Sequence, residues 1–543
     1  MTSKLKTLPD LLASSFEKYS QRLFVDEWTY SQFMERAVDF RNQLESLGVK
    51  SGDRVILCHP SGSDWLAAFF GITSLGAACV NLHHQIPPLY LGGVLLKCQP
   101  KAWVGGGRGI SSFEPLLNSL PKILPENLPR NSHNSPHKVL RSSFVYPGQV
   151  AVLALTSGST GNPRLVSLSH ENLIENLKSF IQIRSIATET VLLSVLPQTH
   201  MFELMVGQLV PMYCGAHIHY AASIMPNRLV ESIALNKVTH VLLVPALFQM
   251  IFRECISQLA DEKIVHPKWI QSSDDEILSH MRSEVDSDGL YIHRKELHRL
   301  LGPQFKTIVL GGAAGNPLWG EILNKLGLEL EVGYGLTEAS PVVSLGSSRA
   351  IPLGSVGHPL PGVDVRISES GEILVRGKNV MKAYFQDEAA TQDILAQGWL
   401  HTGDVGFLDK NGHLFINGRI KETIVNEEGE SLYPDEVELF YKDAVFAEYC
   451  VVPFPGSMGN DIPLLVASPA TSLDKVSESF RKCWKLAASR YKVKGLFLIN
   501  TPFPRTALGK IKRREIASML MQKEGSWEKI QQNKNFVKSS ANT

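Results

Sequence analysis

The 543-residue chain has no C-x-x-C pair, no run of about 20 apolar residues, and neither a G-x-x-x-x-G-K-[ST] nor a G-x-G-x-x-G loop. The first absence speaks against a zinc site of paired cysteines. The second speaks against a membrane-spanning helix, though it leaves peripheral membrane contact open. The third removes the Walker and dinucleotide fingerprints. The start, "MTSKLKTLPDLLASSFEKYSQ", lacks the unbroken apolar core of a signal peptide and reads as a capped surface helix. A formal net charge of +1 gives no bulk electrostatic case for nucleic acid. Cys58, Cys79, Cys98, Cys214, Cys255, Cys450 and Cys483 are scattered, odd in number and mostly in apolar surroundings. That pattern suits reduced, buried thiols and a cytoplasmic location.

What is present is a long chain of ordinary globular composition, 44% hydrophobic and 20% charged, which predicts more than one domain. From about residue 50, apolar strands alternate with amphipathic helices: "DRVILCHP", "GSDWLAAFFGITSLGAACVNLH", "THVLLVPALFQMIFREC" and "KTIVLGGAAGNPLWGEILNKLGLELEVGYG". This alternation predicts an α/β fold of parallel sheets with helices on their faces. Residues 120–147 and 258–292 are polar and weakly patterned, and read as surface segments. After residue 340 short strands separated by Gly and Pro turns suggest a small antiparallel barrel or sheet, with a hairpin around Lys410, Asn411 and Gly412. From about residue 420 helices and strands read as a compact α+β unit, and the polar end reads as frayed. The expected organisation is a large N-terminal domain over 1–418, β-rich at about 341–417. A mobile C-terminal domain follows over 419–520, and a tail over 521–543.

The stretch "ALTSGSTGNPRLVSLSH", residues 154–170, sets Thr156, Ser157, Gly158, Ser159, Thr160 and Gly161 between two apolar runs, with Arg164 at its end. Glycine backbone N–H groups and hydroxyls can close on a phosphate while the cation offsets charge. A mobile surface turn uses the same residues. In "GYGLTEAS", Gly333 and Gly335 flank Tyr334, whose ring can stack on a flat ligand; Thr337 offers a hydroxyl and Glu338 a hard oxygen for Mg²⁺. A turn around a buried tyrosine reads the same way. In "HTGDVG", Asp404 can accept two hydrogen bonds from a ribose diol or simply cap a turn. Arg419 in "GRIKE" can meet phosphate or ribose oxygens. Lys510 in "PRTALGKIKRREI" can deliver one ammonium to a developing charge or lie solvated.

Together with "GRIKETIVNEEGESLYPDEVE" at 418–438, these five stretches resemble the motifs of the adenylate-forming superfamily of acyl-CoA synthetases, luciferases and peptide-synthetase adenylation domains, in that family's order. The resemblance runs from roughly residue 20 to 516. It implies that Thr156 to Arg164 cradle the β- and γ-phosphates of ATP, that Glu338 holds Mg²⁺, and that Asp404 binds the ribose. It also counts Gly312 among the nucleotide-binding positions, makes Lys421 the hinge, and makes Lys510 the lysine that contacts the reacting carboxylate and α-phosphate. "LPQTHMFEL", residues 196–204, resembles the long-chain fatty acyl branch, in which the residue matching His200 lies near the substrate carboxylate. Phe202 is followed by Glu203, where amino-acid-activating relatives usually carry Asp. Two departures stand out. Arg164 and Leu165 replace the usual Lys-Gly, and "NEEGE" at 426–430 is acidic on the side where a phosphate-bearing acceptor is expected. The implied activity is acyl-AMP formation from a carboxylic acid, expected to be a medium-to-long fatty acid, and transfer to a thiol. The thiol belongs to CoA or, since no carrier domain follows residue 516, to an acyl carrier protein in trans. Ligation of an aryl or amino acid, or nucleotide binding without turnover, are the rival readings.

Overall fold

The computed structural model describes residues 5–83, 88–106, 114–128, 145–156, 164–270, 272, 274–283, 288–311, 318–422, 424–425, 431–441, 444–455, 461–487, 491–499, 501–505, 511–522, 528–530 and 536–537. The fold is α/β, as the alternation predicts. A seven-stranded sheet runs in the order 383–384, 164–169, 150–156, 78–81, 54–58, 102–105, 122–123. Its strands are parallel from Val150–Thr156 to Lys122–Ile123 and antiparallel on the other side. A nine-stranded sheet runs in the order 358–359, 342–347, 329–335, 307–310, 240–243, 191–194, 217–220, 23–25, 28–29, with a parallel centre. Near-continuous apolar strands such as Val55–Cys58 and Thr307–Leu310 are buried on both faces, which is what helix-covered parallel sheets require.

The helix Ser63–Ser74 is apolar all round and buried from Trp65 onward, so it lies inside the main core. Gly71 lets it close on the helix Tyr30–Ser46: a Cβ there would stand 2.6 Å from Phe40 Cβ. The N-terminal helix Leu8–Tyr19 is capped by Thr7 as expected. It is not a surface helix, because Leu8, Leu11, Leu12, Phe16 and Tyr19 bury one face in that core.

Residues 363–419 form an antiparallel five-stranded sheet, including the hairpin of Trp399–Leu408 and Leu414–Arg419, whose turn uses Gly412 at φ +83°. Another five-stranded sheet follows, ordered 446–455, 461–469, 495–498, 528–530, 536–537, with helix Leu473–Leu486 against it. Two further expectations fail. The weakly patterned stretch 258–292 holds the helix Asp274–Ser283 and part of Asp288–Leu301; Ile277, Leu278, Met281 and Leu297 bury a helical face in a second core despite the density of charge around them. The tail read as frayed contributes the strands Glu528–Ile530 and Phe536–Val537, paired through backbone groups that its polar sequence does not advertise.

Candidate functional site

The motif residues collect at the carboxyl ends of the parallel strands, where open α/β sheets bind ligands. Thr156 ends the strand Val150–Thr156, His200 follows Val191–Ser194, and Tyr334 and Gly335 end Glu329–Gly335. Across the hairpin that opens at Thr156, that residue pairs with Arg164, and its Oγ1 donates to the Arg164 carbonyl at 3.4 Å. Ser157, Gly158, Ser159, Thr160 and Gly161 lie outside the described residues, as do Gly312 and Lys510.

The helix His170–Ile183 sets the nucleotide side. Its cap Ser169 forms a capping box with Asn172. Asn172 Nδ2 donates to the carbonyls of Lys378 and Val380, and Asn176 exchanges hydrogen bonds with the backbone of Val342. One helix face thereby fixes both the strand after the "GYGLTEAS" turn and the segment leading to Tyr384. The turn and that segment are tied directly: Asn379 Nδ2 donates to Ala339 O at 2.9 Å and Met381 N to Glu338 O at 2.7 Å.

Two charged groups result. Asp404 is buried; its Oδ2 accepts from the Tyr334 hydroxyl at 2.7 Å, and its Oδ1 pairs with Arg419 Nε at 2.8 Å. The Asp404 carboxylate raises the Arg419 pKa. Glu338 Oε1 accepts from the Tyr384 hydroxyl at 2.8 Å, and the Arg164 guanidinium lies 5.1 Å from the Tyr384 ring centroid. Burial raises the Glu338 pKa, partly offset by its own backbone N–H and by Tyr384. Thr337 opens the short 3₁₀ turn Thr337–Ala339 beside it. Among the described residues no group of three or more His, Cys, Asp or Glu can hold a metal alone. A lone carboxylate with one oxygen already oriented fits Mg²⁺, which takes one or two carboxylates and completes its shell with phosphates and water.

Gly333 and Gly335 are required by the chain's own packing. A Cβ at Gly335 would run into the Pro341 carbonyl, and one at Gly333 would stand 3.3 Å from Ser344 O. These glycines admit the neighbouring backbone of their own sheet. Lys421 lies in the short turn Ile420–Glu422, directly after Arg419.

The acid side is built differently. After His200 the chain enters a π-helix, Glu203–Leu209, a form often found at functional sites. Glu203 is fully buried; its Oε1 accepts from Ser194 Oγ at 2.6 Å and Gln208 Nε2 at 2.8 Å, and its Oε2 has no partner among the described residues. Gly207 makes the room, since a Cβ there would meet the Glu203 carboxyl. Burial pushes Glu203 up to about 7 against those two hydrogen bonds. Gln208 and Tyr220 extend the network to Gln198, whose Oε1 accepts from Gly62 N at 2.6 Å, joining loops of the two large sheets. Burial, then the nearby His83, lower His200 to about 4, and its Nε2 is buried without a partner among the described residues. Phe202 packs on Gly311, where a Cβ would stand 2.8 Å from the ring. The helix Pro245–Asp261, a candidate tunnel wall by composition, packs Phe248, Ile251, Phe252, Cys255, Ile256 and Leu259 into the second core. The two cavities along it measure about 10 and 20 Å³, room for roughly one water each.

Tyr384, Gln208 and Tyr220 carry no motif signal. Tyr384 is 46 residues from Glu338 and reaches it only because Ala383–Tyr384 pairs with the strand Arg164–Ser169.

Residues 12–385 match the family model for AMP-binding enzymes. The chain is 27% identical over 452 residues to a long-chain-fatty-acid–CoA ligase, FadD15, of Mycobacterium bovis, covering 77% of this chain and 74% of that protein. It is 26% identical over 504 residues to a feruloyl-CoA synthase of an Amycolatopsis species, covering 90% and 93%. Its fold matches o-succinylbenzoate CoA synthetase of Bacillus subtilis, solved with an acyl-adenylate intermediate, at a TM-score of 0.75 and 21% identity over 94% and 98% of the chains. The chain belongs to the AMP-binding enzyme family and is an adenylate-forming enzyme.

Proposed function

We propose that this acid–thiol ligase activates a medium-to-long aliphatic carboxylic acid with Mg-ATP and passes the acyl group to the thiol of CoA. The observation that carries the nucleotide half is the convergence of Asp404, Arg419, Tyr334, Glu338, Tyr384 and Arg164 from five separate chain segments at one end of the sheets. Asp404 accepts the ribose hydroxyls while its ion pair with Arg419 holds it in place. Glu338 and the phosphates hold Mg²⁺, which when bound offsets negative charge on the phosphate oxygens. Arg164 and the loop from Thr156 hold the β- and γ-phosphates. The acid carboxylate attacks the α-phosphate in line, giving acyl-AMP and pyrophosphate, with Lys510 offsetting charge at both reacting groups. The unit beyond Arg419 then turns about Lys421, withdraws Lys510 and admits the thiol.

The acid class rests on the neutral acid side. Glu203, where an ammonium partner would stand, is turned inward and held by Ser194 and Gln208. Neutral His200 and Phe202 suit an uncharged acyl group beside its carboxylate. The likeness to FadD15 supports an aliphatic acid. The feruloyl-CoA synthase, which matches more of the chain, favours an aryl acid as the second reading. Seven free, buried cysteines suit a reducing cytoplasm. No described helix is long and apolar enough to cross a membrane.

The test is kcat/KM for straight-chain acids of increasing length, with ferulate as the aryl competitor, using ATP and CoA. Each methylene buried contributes about 0.8 kcal/mol, roughly fourfold, so efficiency climbs with length until the site is full. A flat series with ferulate preferred overturns the aliphatic reading and leaves adenylation in place.

A further inference from the structure

We propose that Tyr384 is a positioning residue that couples the phosphate-side cation Arg164 to the metal-binding carboxylate Glu338. The proposal rests on the nucleotide reading above and adds a residue that no motif marks.

Three features place Tyr384 between them. Its hydroxyl donates to Glu338 Oε1 at 2.8 Å, which fixes that carboxylate and leaves Oε2 for a cation. Its ring carries the Arg164 guanidinium at 5.1 Å. Its backbone is rigid: Ala383 and Tyr384 pair with Ser167 and Val166, and Tyr384 N donates to Thr391 Oγ1 at 3.0 Å. Met381 N, three residues earlier, donates to Glu338 O, so ring and carboxylate are held to the same piece of backbone. The aromatic side chain therefore bridges the stem of the phosphate hairpin and the turn that carries Glu338.

The bridge has a function when charge arrives. A triphosphate engages the N–H edge of the guanidinium while its face stays over the ring, so the ring holds the cation where the phosphates need it. A cation on Glu338 Oε2 leaves the hydroxyl its bond to Oε1. Outer hydrogen bonds to metal-binding carboxylates orient them, and losing one costs about 10–100-fold in metal affinity. Arg164 stands where the resembled family usually has Lys. A planar guanidinium stacks on a phenol ring in a way that a compact ammonium does not. Loop cation, ring and carboxylate thus form one unit in this chain, and the metal and the phosphates strengthen each other's binding through it.

The experiment is calorimetric titration of the full-length protein with ATP at several Mg²⁺ concentrations, and with AMP, for wild type, Tyr384→Phe, Arg164→Lys and the double variant. Phe keeps the ring and the strand. Arg164→Lys leaves the backbone pairing at the end of its strand intact and removes the planar group over the ring, so it keeps the proposal testable should Tyr384→Phe misfold. The expected result is that Tyr384→Phe needs about tenfold more Mg²⁺ to reach the same ATP affinity, with AMP affinity unchanged. The losses of the two single variants in ATP affinity are expected to be non-additive in the double variant. An unaltered Mg²⁺ response in Tyr384→Phe overturns the proposal. So does equal weakening of ATP and AMP, which marks a merely structural residue, and so does strict additivity. If wild type itself shows no Mg²⁺-assisted ATP binding, the nucleotide reading falls and takes this inference with it.

Discussion

On the nucleotide side, Asp404 and Glu338 face donors at hydrogen-bond distance, Tyr334 and Arg419 for one and Tyr384 for the other. On the acid side, burial lowers His200 to about 4, which leaves it neutral, and raises Glu203 to about 7, which leaves it half-protonated at neutral pH. The first region orients its carboxylates with hydrogen-bond donors, as a site for a diol, a cation and phosphates requires. The second removes charge from the wall that an acyl group would line, and stores the one carboxyl it contains inside a network of Ser194, Gln208 and Tyr220. Two kinds of recognition thus meet at one edge of the sheets. One is electrostatic; the other works by desolvation and shape, and leaves an oxygen of Glu203 and a nitrogen of His200 without a partner among the described residues.

The largest break in this contrast is Lys510→Ala, which removes the one cation proposed to reach both sides. Pyrophosphate release from acid and ATP is expected to fall roughly 10²–10³-fold, while thioester formation from supplied acyl-AMP persists. Normal pyrophosphate release by the variant rejects the role. Next is Asp404→Asn, which neutralises the nucleotide side while leaving the acid side untouched. Each charge-assisted hydrogen bond lost costs about 1.5–3 kcal/mol, so ATP and AMP are expected to weaken together by roughly 10–100-fold, read by equilibrium titration. A loss confined to ATP places Asp404 at the phosphates instead of the ribose.

Lys421→Pro tests whether the two regions share one conformational step. Proline fixes φ near −65°, so a pivot at this position would lock. Thioester formation is expected to fall severalfold more than adenylation in single-turnover measurements of each half-reaction. Equal losses, with the fold intact by circular dichroism, make Lys421 an ordinary link.

How far the sequence foretold all this follows from the reach of each interaction. Strand and helix alternation from residue 50 is local, and the parallel sheets follow from it. The hairpin at Gly412 is equally local. "GYGLTEAS" and "HTGDVG" single out Tyr334 and Asp404, yet the pairing of the two across 70 positions is a tertiary fact. Tyr384 sits in "VMKAYFQ", which has no glycine-rich or acidic signature, and becomes part of the site only through edge pairing with Val166. Glu203 reads as a marker of acid class. Its inward turn depends on the π-helix and on the space left by Gly207, neither of which a residue pattern specifies. The helices in 258–292 are hidden because charged residues crowd their exposed faces, while the spacing of Ile277, Leu278 and Met281 is the only trace of the buried side.

The smallest expected effect sharpens the comparison most. Glu203→Gln keeps the shape of the buried carboxyl and removes its proton equilibrium. Glu203 ionises near 7 in the fold against an ordinary 4.5, so the native state binds more protons than the unfolded chain between those values. Its contribution to stability is fully present below pH 4.5 and is lost as pH rises through 7. Glutamine has no such loss. Relative to wild type, Glu203→Gln is expected to gain stability steadily from about pH 5 to pH 8, by roughly 1–3 kcal/mol in urea denaturation. His200 has the opposite sign: lowered to about 4, it contributes stability that is present above 6.5 and lost as pH falls through 4. His200→Gln is therefore expected to gain on wild type toward acid, where Glu203→Gln gains nothing. The two difference curves slope in opposite directions only if both groups are neutral in the fold. A pH-independent offset for Glu203→Gln means that the carboxyl is ionised inside the network, and the acid side then holds a buried negative charge that would repel the substrate carboxylate it is proposed to bind.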